Sequence, residues 1–254
     1  MSRQLDLLSG HKSAGYSEQA LSSNDPYQFA TIMRTKPCRA CGPLIPEGEI
    51  PVVYRGNISS KIMIFGQGPG ETESETGIPF TGKSGYYLST LLKYSGIHPD
   101  EDCLLTNVSM CYFGTNEPPD DARRNCRVNY EHLISLVNPR VLISMGLIAT
   151  SQLMGVDPKD IKLHEVIGKW HKSTTGHDLF AIYHPAFIIR REGRQYEKLT
   201  EKHLREFKSV AIQMGINFVG WDWDKERKSL SNYIKRSDKE ISEPDTDNAI
   251  RISD

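Results

Sequence analysis

Short apolar runs alternate with stretches of helical spacing through the middle of the chain. Four runs have the length and composition of buried strands: Ile62 to Phe65, Leu104 to Val108, Val141 to Met145 and Leu179 to Tyr183. Between and after them, apolar residues recur every three or four positions, as on one face of a helix. The helices predicted in this way begin after Gly85, at about 119, at 147 and at about 197. This alternation predicts an α/β fold in three layers, α/β/α, around a mostly parallel, four-stranded central sheet.

The two ends of the chain differ from this middle part. Residues 1–35 are polar and weakly periodic, which predicts a loose arm with at most one short helix. Residues 222–254 are dense in charge and contain few side chains that could pack, so a disordered tail is expected there. The globular domain is therefore expected to span residues 36–221.

Composition narrows the class of protein. Among 254 residues, 25% are charged and 38% hydrophobic, as is usual for a globular protein in water. The formal net charge of −1 excludes a strong overall basic field, so any nucleic-acid-binding surface has to be a local patch. No apolar run is long enough to span a bilayer, and the first residues lack the apolar stretch of a signal peptide. We expect a cytoplasmic, monomeric protein with no membrane partner.

Polar residues follow each predicted strand at its carboxyl end. Gly66 and Gln67 follow the first strand, Asn107 ends the second, Gly146 follows the third, and His184 follows the fourth. Open parallel sheets bind ligands outside the carboxyl ends of their strands, so these residues are expected to line one cleft.

The first of these strand ends leads into a glycine-rich loop. Gly66, Gly68 and Gly70 are followed by a second glycine-rich stretch from Gly77 to Gly85, which runs into a predicted helix. Backbone N–H groups and a helix N-terminus in this order can receive an anion or a polar ring. Many strand-to-helix turns of this kind bind nothing, so the loop alone does not define a site.

Five cysteines complete the candidate chemistry. Cys38 and Cys41 form a Cys-x-x-Cys pair, and Cys111 and Cys126 follow at larger spacing. Four thiolates could hold either a zinc ion or a four-iron four-sulfur cluster, and the spacing does not choose between them. Cys111 and Cys126 could instead be small buried hydrophobic residues, which is the favoured interpretation for Cys103 within its apolar strand.

Taken in order, these motifs resemble the uracil-DNA glycosylase superfamily, and in particular its family 4, the iron–sulfur type. The similarity runs from about Cys38 to about Met214. Four motifs carry it: Cys38-x-x-Cys41; Gly66-Gln67-Gly68-Pro69-Gly70 followed by Thr76-Gly77-x-Pro79-Phe80-x-Gly82-Lys83-x-Gly85; Thr106-Asn107-Val108-x-x-Cys111; and Gly168-Lys169-Trp170 followed by His184-Pro185-Ala186-Phe187-Ile188-Ile189-Arg190.

The resemblance implies a monofunctional DNA glycosylase that flips a pyrimidine, with uracil favoured, out of DNA and hydrolyses its N-glycosidic bond. By this resemblance, Phe80 of this chain would stack on the base, Asn107 would bind the edge of the base, and His184 would donate to its O2 atom. The rest of the implied base pocket is Gly66, Gln67, Gly68 and Gly70. Ile188 would enter the gap left in the base stack. The phosphates would be held by Lys83, Ser84, Arg190, Arg191 and Arg194.

The same resemblance implies a cofactor. It assigns Cys38, Cys41, Cys111 and Cys126 as ligands of a structural 4Fe-4S cluster. The chemistry of thiolate ligands is compatible with that assignment.

Two positions depart from the family pattern. Gln67 stands where family 4 has a glutamate that orients or activates the attacking water, and an amide cannot accept a proton as a general base. Ser74 stands where the pattern often has aspartate, and Glu71, Glu73 or Glu75 could serve instead. The alternatives left open are excision of a modified pyrimidine from phage DNA as a defence, and a non-catalytic protein that binds a DNA base.

Overall fold

The computed structural model describes residues 17–115, 117–190, 194–224 and 226, without the side chains of residues 194 and 195. The predictions made for residues 1–16, for Arg191 and for most of the tail lie outside the described residues. The described residues up to Gly220 form one compact unit, and a second unit begins at Trp221. Within the second unit, the Trp221 indole Nε1–H donates to the Glu226 carboxylate at 2.7 Å.

One mixed sheet forms the centre of the first unit. Its strands are β1 (Tyr54–Gly56), β2 (Ile62–Gly66), β3 (Leu104–Asn107), β4 (Val141–Met145), β5 (Trp170–Lys172) and β6 (Asp178–Ile182). They lie side by side in the order β1-β3-β2-β4-β6-β5. The inner four are parallel, and β1 and β5 are antiparallel edge strands. The mostly parallel α/β sheet is confirmed, whereas the predicted number of four strands is wrong, since the sheet has six. The sequence did not reveal the two edge strands because each spans only three residues and shows no periodicity.

Helices cover both faces of this sheet. In chain order they are α1 (Glu18–Leu21), α2 (Pro26–Thr35), α3 (Glu71–Thr76), α4 (Lys83–Tyr94), α5 (Asp120–Val137), α6 (Gly146–Met154), α7 (Leu163–Val166), α8 (Pro185–Arg190) and α9 (Arg194–Gln213). Helices α2, α5 and α6 pack on one face with Met63 and Phe65 of β2. Helices α4, α8 and α9 pack on the other face with Ile62 and Ile64. Alternate residues of β2 thus enter opposite core layers, as the pleat of a strand requires. The three-layer prediction is confirmed.

The N-terminal part of the chain belongs to the domain more fully than its composition predicts. Asp25 caps α2 by accepting the Gln28 backbone N–H at 2.8 Å, and Pro26 occupies the first turn. Phe29 and Met33, one helical turn apart, are fully buried in the core. Helix α2 thus packs into the core of the domain, although it lies before the predicted boundary at residue 36.

Among the residues that the structure describes, no helix combines the length and the apolar character needed to cross a membrane.

Candidate active site

The carboxyl ends of the four parallel strands carry the polar residues identified in the sequence. Gly66 is paired with Asn107 across β2 and β3. On the other side of β2, strand β4 ends at Met145, which is paired with Ile182 of β6. His184 follows the end of β6, so it lies at the same carboxyl-terminal end of the parallel strands as Gly66 and Asn107.

Gly66 is the point at which an amide and an aromatic ring meet. A Cβ atom at this position would overlap the Asn107 side-chain oxygen and would lie 2.8 Å from Cζ of Phe80. Real Cβ atoms do not approach other atoms that closely, so the close approach requires glycine. The Asn107 amide and the Phe80 ring consequently lie together over the end of β2.

Asn107 carries an unused hydrogen-bond acceptor. Its side chain is only 2% exposed, and in the assigned amide orientation Oδ1 has no hydrogen-bond partner among the described residues. A buried polar atom without a partner costs about 1–3 kcal/mol, so such atoms are rare in folded proteins. An acceptor left in this state next to an aromatic ring is suited to an N–H group of a bound ligand.

Phe80 adopts an unusual backbone conformation. Its φ of 58° lies in the left-handed region, which among the described non-glycine residues only Asn138 shares. Such a conformation costs on the order of 1–3 kcal/mol and persists where surrounding contacts enforce it. Phe80 is 7% exposed and packs in the core layer of α4, α8 and α9, with the end of its ring beside Gly66. Strain of this kind is frequent at ligand sites, and no local sequence pattern predicted it.

His184 is half-buried and held in one tautomer. Its Nδ1 atom accepts the backbone N–H of Ala186 at 3.1 Å, which places the proton of the neutral ring on Nε2. Burial, and secondly the nearby Arg190 guanidinium, lowers the pKa of His184 to about 4. At neutral pH the ring is therefore an uncharged donor. Gly146 permits the close packing of this residue, since a Cβ there would lie 2.9 Å from the His184 Cβ.

The glycine-rich loop is closed by Glu73. One carboxylate oxygen accepts the Gly70 N–H at 3.0 Å, and the other accepts the Gly82 N–H at 2.7 Å. Both oxygens therefore hold the two halves of the loop together. Glu73, predicted only as a possible base, stands three positions after the helix cap, where an acidic residue is a known capping pattern.

The other positions near Gln67 also have structural contacts. Gln67 is half-buried, and its carbonyl oxygen accepts the Ser109 N–H at 3.2 Å. Ser74 donates to the buried Glu49 carboxylate at 2.7 Å, whereas Glu71 and Glu75 are exposed. Around α3, the carboxylates of Glu49 and Glu73 thus accept hydrogen bonds from the protein, whereas those of Glu71 and Glu75 face solvent.

The predicted DNA-contacting residues differ in how far they are exposed to solvent. Lys83 is exposed and Ser84 half-buried in the first turn of α4, and Arg190 is exposed at the end of α8. Arg194 begins α9, but its side chain is outside the described part. Ile188 contradicts its predicted role, because it is 4% exposed and packs in the core on the inner face of α8. The exposed apolar residue of that helix is Ile189, at 48%.

The four predicted cysteine ligands lie around one cavity. Cys38, Cys41, Cys111 and Cys126 all line it. Burial raises the pKa of the Cys126 thiol to about 12, and it also raises the pKa of Cys41 and Cys111. Cys103 is fully buried in the other core layer, which confirms its interpretation as a small hydrophobic residue.

Hydrogen-bond donors point at three of these sulfur atoms. The Asn129 amide nitrogen lies 3.8 Å from the Cys38 sulfur and 4.0 Å from that of Cys126. The Asn125 amide nitrogen lies 4.0 Å from the Cys41 sulfur, and the Met110 N–H donates to Cys126 at 3.3 Å. Within the described part of the chain, no three histidine, cysteine or acidic side chains meet in an arrangement that would hold a metal ion.

Comparison with known proteins agrees with this architecture. The model of the Uracil DNA glycosylase superfamily matches residues 53–208, which is more than half of the chain. A type-4 uracil-DNA glycosylase of Thermotoga maritima is 32% identical over 183 residues, covering 72% of this chain and 93% of the relative. The type-4 enzyme of Pyrobaculum aerophilum is 31% identical over 161 residues, covering 61% and 81%. That of Sulfurisphaera tokodaii is 27% identical over 190 residues, covering 70% and 85%.

The three-layer fold and the match over most of the domain define this chain as a DNA glycosylase, an enzyme that hydrolyses N-glycosyl bonds. It belongs to the uracil-DNA glycosylase superfamily. Within that superfamily it lies close to the type-4 enzymes, as its motifs indicated.

Proposed function

We propose that this protein excises uracil from DNA by hydrolysing the N-glycosidic bond, leaving an abasic site for base excision repair. The observation that carries the proposal is the unpartnered, buried Asn107 Oδ1 beside the Phe80 ring, with the neutral His184 on the same edge of the sheet. The names of the type-4 relatives support uracil as the substrate.

Base recognition would combine stacking with edge reading. A base inside a duplex cannot be reached, so the nucleotide has to be flipped into the pocket. The Phe80 ring would stack on the flipped pyrimidine, with Gly66, Gly68 and Gly70 forming the backbone wall of the pocket. Asn107 Oδ1 would accept the N3–H of uracil, and the amide nitrogen would donate to O4. Supplying an N–H group removes the cost of burying Asn107 Oδ1 without a partner.

His184 would act on the departing base. As the glycosidic bond breaks, its electron pair moves onto the base, and negative charge develops at O2. The neutral ring, protonated on Nε2, would donate a hydrogen bond to this oxygen. A preorganised donor of this kind typically contributes 10²- to 10³-fold in rate, or about 2.7–4 kcal/mol. Because Nδ1 accepts the Ala186 N–H, the donor that the neutral ring offers to this oxygen is Nε2–H.

Gln67 would orient the attacking water without accepting its proton. An amide can hold a water through both its donor and its acceptor. Nearby carboxylates are poor substitutes, because both oxygens of Glu73 accept backbone N–H groups and Glu71 and Glu75 face solvent. The reaction would therefore depend mainly on stabilisation of the leaving base.

DNA would lie across the mouth of the cleft. Lys83, Ser84 and Arg190, together with Arg191 and Arg194, are proposed to contact phosphates. Ile189, which is exposed on α8, replaces Ile188 as the candidate for the gap left in the base stack. The lysine and arginine residues among them would form the local basic surface through which a chain of net charge −1 can bind DNA.

A structural 4Fe-4S cluster is proposed for the cavity lined by Cys38, Cys41, Cys111 and Cys126. The amide donors directed at the sulfur atoms of Cys38, Cys41 and Cys126 suit bound thiolates, the deprotonated form in which cysteine binds a metal or cluster. Four cysteine ligands suit either a zinc ion or a four-iron four-sulfur cluster, and the resemblance to family 4, the iron–sulfur type, favours the cluster. Bound there, the cluster would tie the segment around Cys38 to α5.

Oligonucleotide cleavage tests the proposal. Single- and double-stranded oligonucleotides carrying uracil, hydroxymethyluracil, hydroxymethylcytosine or glucosylated hydroxymethylcytosine are incubated with the protein and assayed for alkali-labile abasic sites. We expect cleavage at uracil. Cleavage only at modified cytosine would replace uracil with the phage-DNA substrate, since a rotated Asn107 amide also fits cytosine. Binding without any abasic product would establish the non-catalytic alternative.

A further inference from the structure

The base-stacking residue Phe80 is held in place by contacts from outside the motif that contains it. Its carbonyl oxygen accepts a hydrogen bond from Nη1 of Arg55 at 2.8 Å. Arg55 lies in the edge strand β1, 25 positions earlier in the chain. A backbone carbonyl taken away from water needs a hydrogen-bond donor, and Arg55 supplies one from a distant segment of the chain.

The guanidinium of Arg55 is itself fixed from two further sides. Nε and Nη2 donate to the two carboxylate oxygens of Asp100 at 2.6 and 3.4 Å, and Nη2 lies 3.2 Å from the Ser89 hydroxyl. The arginine side chain is only 19% exposed. A planar fork anchored on a carboxylate presents its remaining N–H in a fixed direction, which a lysine ammonium cannot do.

The opposite side of the Phe80 loop is also constrained. Gly85 packs so closely on Phe80 that a Cβ there would overlap the Phe80 backbone. The Glu73 carboxylate accepts the Gly82 N–H at 2.7 Å. The loop is therefore attached to α3 by Glu73 and packed on α4 at Gly85, while the Arg55 side chain donates a hydrogen bond to the Phe80 carbonyl.

We propose that Arg55 is a positioning residue that holds Phe80 in its left-handed conformation and so fixes the aromatic wall of the base pocket. The inference rests on the proposed function of Phe80 as the stacking residue. Arg55 contacts the backbone of Phe80 and acts on the substrate only through the ring. Losing its hydrogen bond would let the peptide relax toward ordinary φ values and turn the ring away from Gly66 and Asn107.

Amide hydrogen exchange tests this without a substrate. Wild-type protein, Arg55→Gln, Arg55→Lys and the control Arg205→Gln are compared, since Arg205 pairs with Glu201 on α9 and contacts α4 at its last residue, Tyr94, at the opposite end from the loop. We expect faster exchange in peptides covering residues 77–85 in both Arg55 variants and unchanged exchange there in the control. Unchanged exchange at 77–85 in both Arg55 variants would overturn the inference.

Kinetics separate positioning from general stability. Under the inference, Arg55→Gln lowers kcat/KM on a uracil oligonucleotide about tenfold, mainly through a higher KM, and Arg55→Lys restores only part of it. In a double-mutant cycle, Arg55→Gln should have no further effect once Phe80 is changed to alanine. A second loss of about tenfold in the double variant would show that Arg55 acts elsewhere. Failure of the wild type to cleave any oligonucleotide would overturn the proposed function, and the exchange experiment would still decide the role of Arg55.

Discussion

The neutral state of His184 is the feature with the most direct measurable consequence. The ring is half-buried, its Nδ1 accepts the Ala186 N–H, and the Arg190 guanidinium adds a positive charge nearby. Burial and this charge together lower the pKa of His184 to about 4, against about 6.5 for an unfolded histidine. The folded protein therefore resists protonation at a position where the unfolded chain accepts it.

The sign and size of the effect on stability follow from this difference. Because the folded pKa is depressed, the contribution of His184 is fully present above about pH 6.5 and is lost as the pH falls through about 4. At pH 5 most unfolded molecules carry the proton and few folded ones do, which lowers the free energy of unfolding by about 2 kcal/mol relative to pH 8. Below both pKa values the loss approaches about 3 kcal/mol.

Comparison with His184→Gln isolates this group, because glutamine does not titrate. Burial also lowers the pKa of His132, His177 and His203, but these residues are common to both proteins and cancel. Urea unfolding at pH 8 and pH 5 should show that the wild type loses about 2 kcal/mol more than the variant. An NMR titration of ¹³C-labelled histidine, assigned with the same variant, should place the His184 midpoint near 4. A midpoint at or above 6.5, or equal losses in both proteins, would refute the account of a neutral donor.

Three further changes probe the pocket and the cysteine cavity. Gly66→Ala should abolish binding of a uracil oligonucleotide and lower the free energy of unfolding by about 1–3 kcal/mol, because the new Cβ would overlap the Asn107 oxygen. Gly176→Ala also lowers stability, because the backbone there is left-handed (φ 83°), but its Cβ meets nothing within 4 Å, so this control should keep full binding. Gln67→Glu should raise the single-turnover rate of uracil excision at least about tenfold by restoring a general base, and an unchanged rate would show that water activation does not limit the reaction. Cys126→Ser should remove iron, acid-labile sulfide and brown colour, whereas Cys103→Ala should keep all three; a colourless, zinc-loaded wild type would contradict the cluster.

The four parallel strands were predictable because strands that are buried on both faces have continuous apolar sequences. The runs beginning at Ile62 and Val141 are such strands, and the structure pairs them in parallel. The polar residues at their ends were predictable for the same reason, since a strand end is where the apolar run stops. The sequence was therefore enough to place Gly66, Asn107 and His184 together at the carboxyl ends of the parallel strands.

The parts that the sequence did not reveal depend on contacts between distant segments. The edge strand β1 is only three residues long, and its Arg55 reaches Asp100, 45 positions later. Ile188 and Ile189 are adjacent and chemically identical, so only the docking of α8 decides which one is buried. The left-handed φ of Phe80 likewise results from its neighbours in space. Such features carry no local pattern of spacing or composition.

Release of free base from a single-stranded uracil oligonucleotide, measured under single-turnover conditions for wild type and His184→Ala, tests the central claim most directly. The account predicts free uracil and an abasic strand from the wild type, and a rate about 10²- to 10³-fold lower in the variant. An intact oligonucleotide with the wild type would contradict the proposed activity. Equal rates in the two proteins would contradict a catalytic role for the histidine at the end of β6.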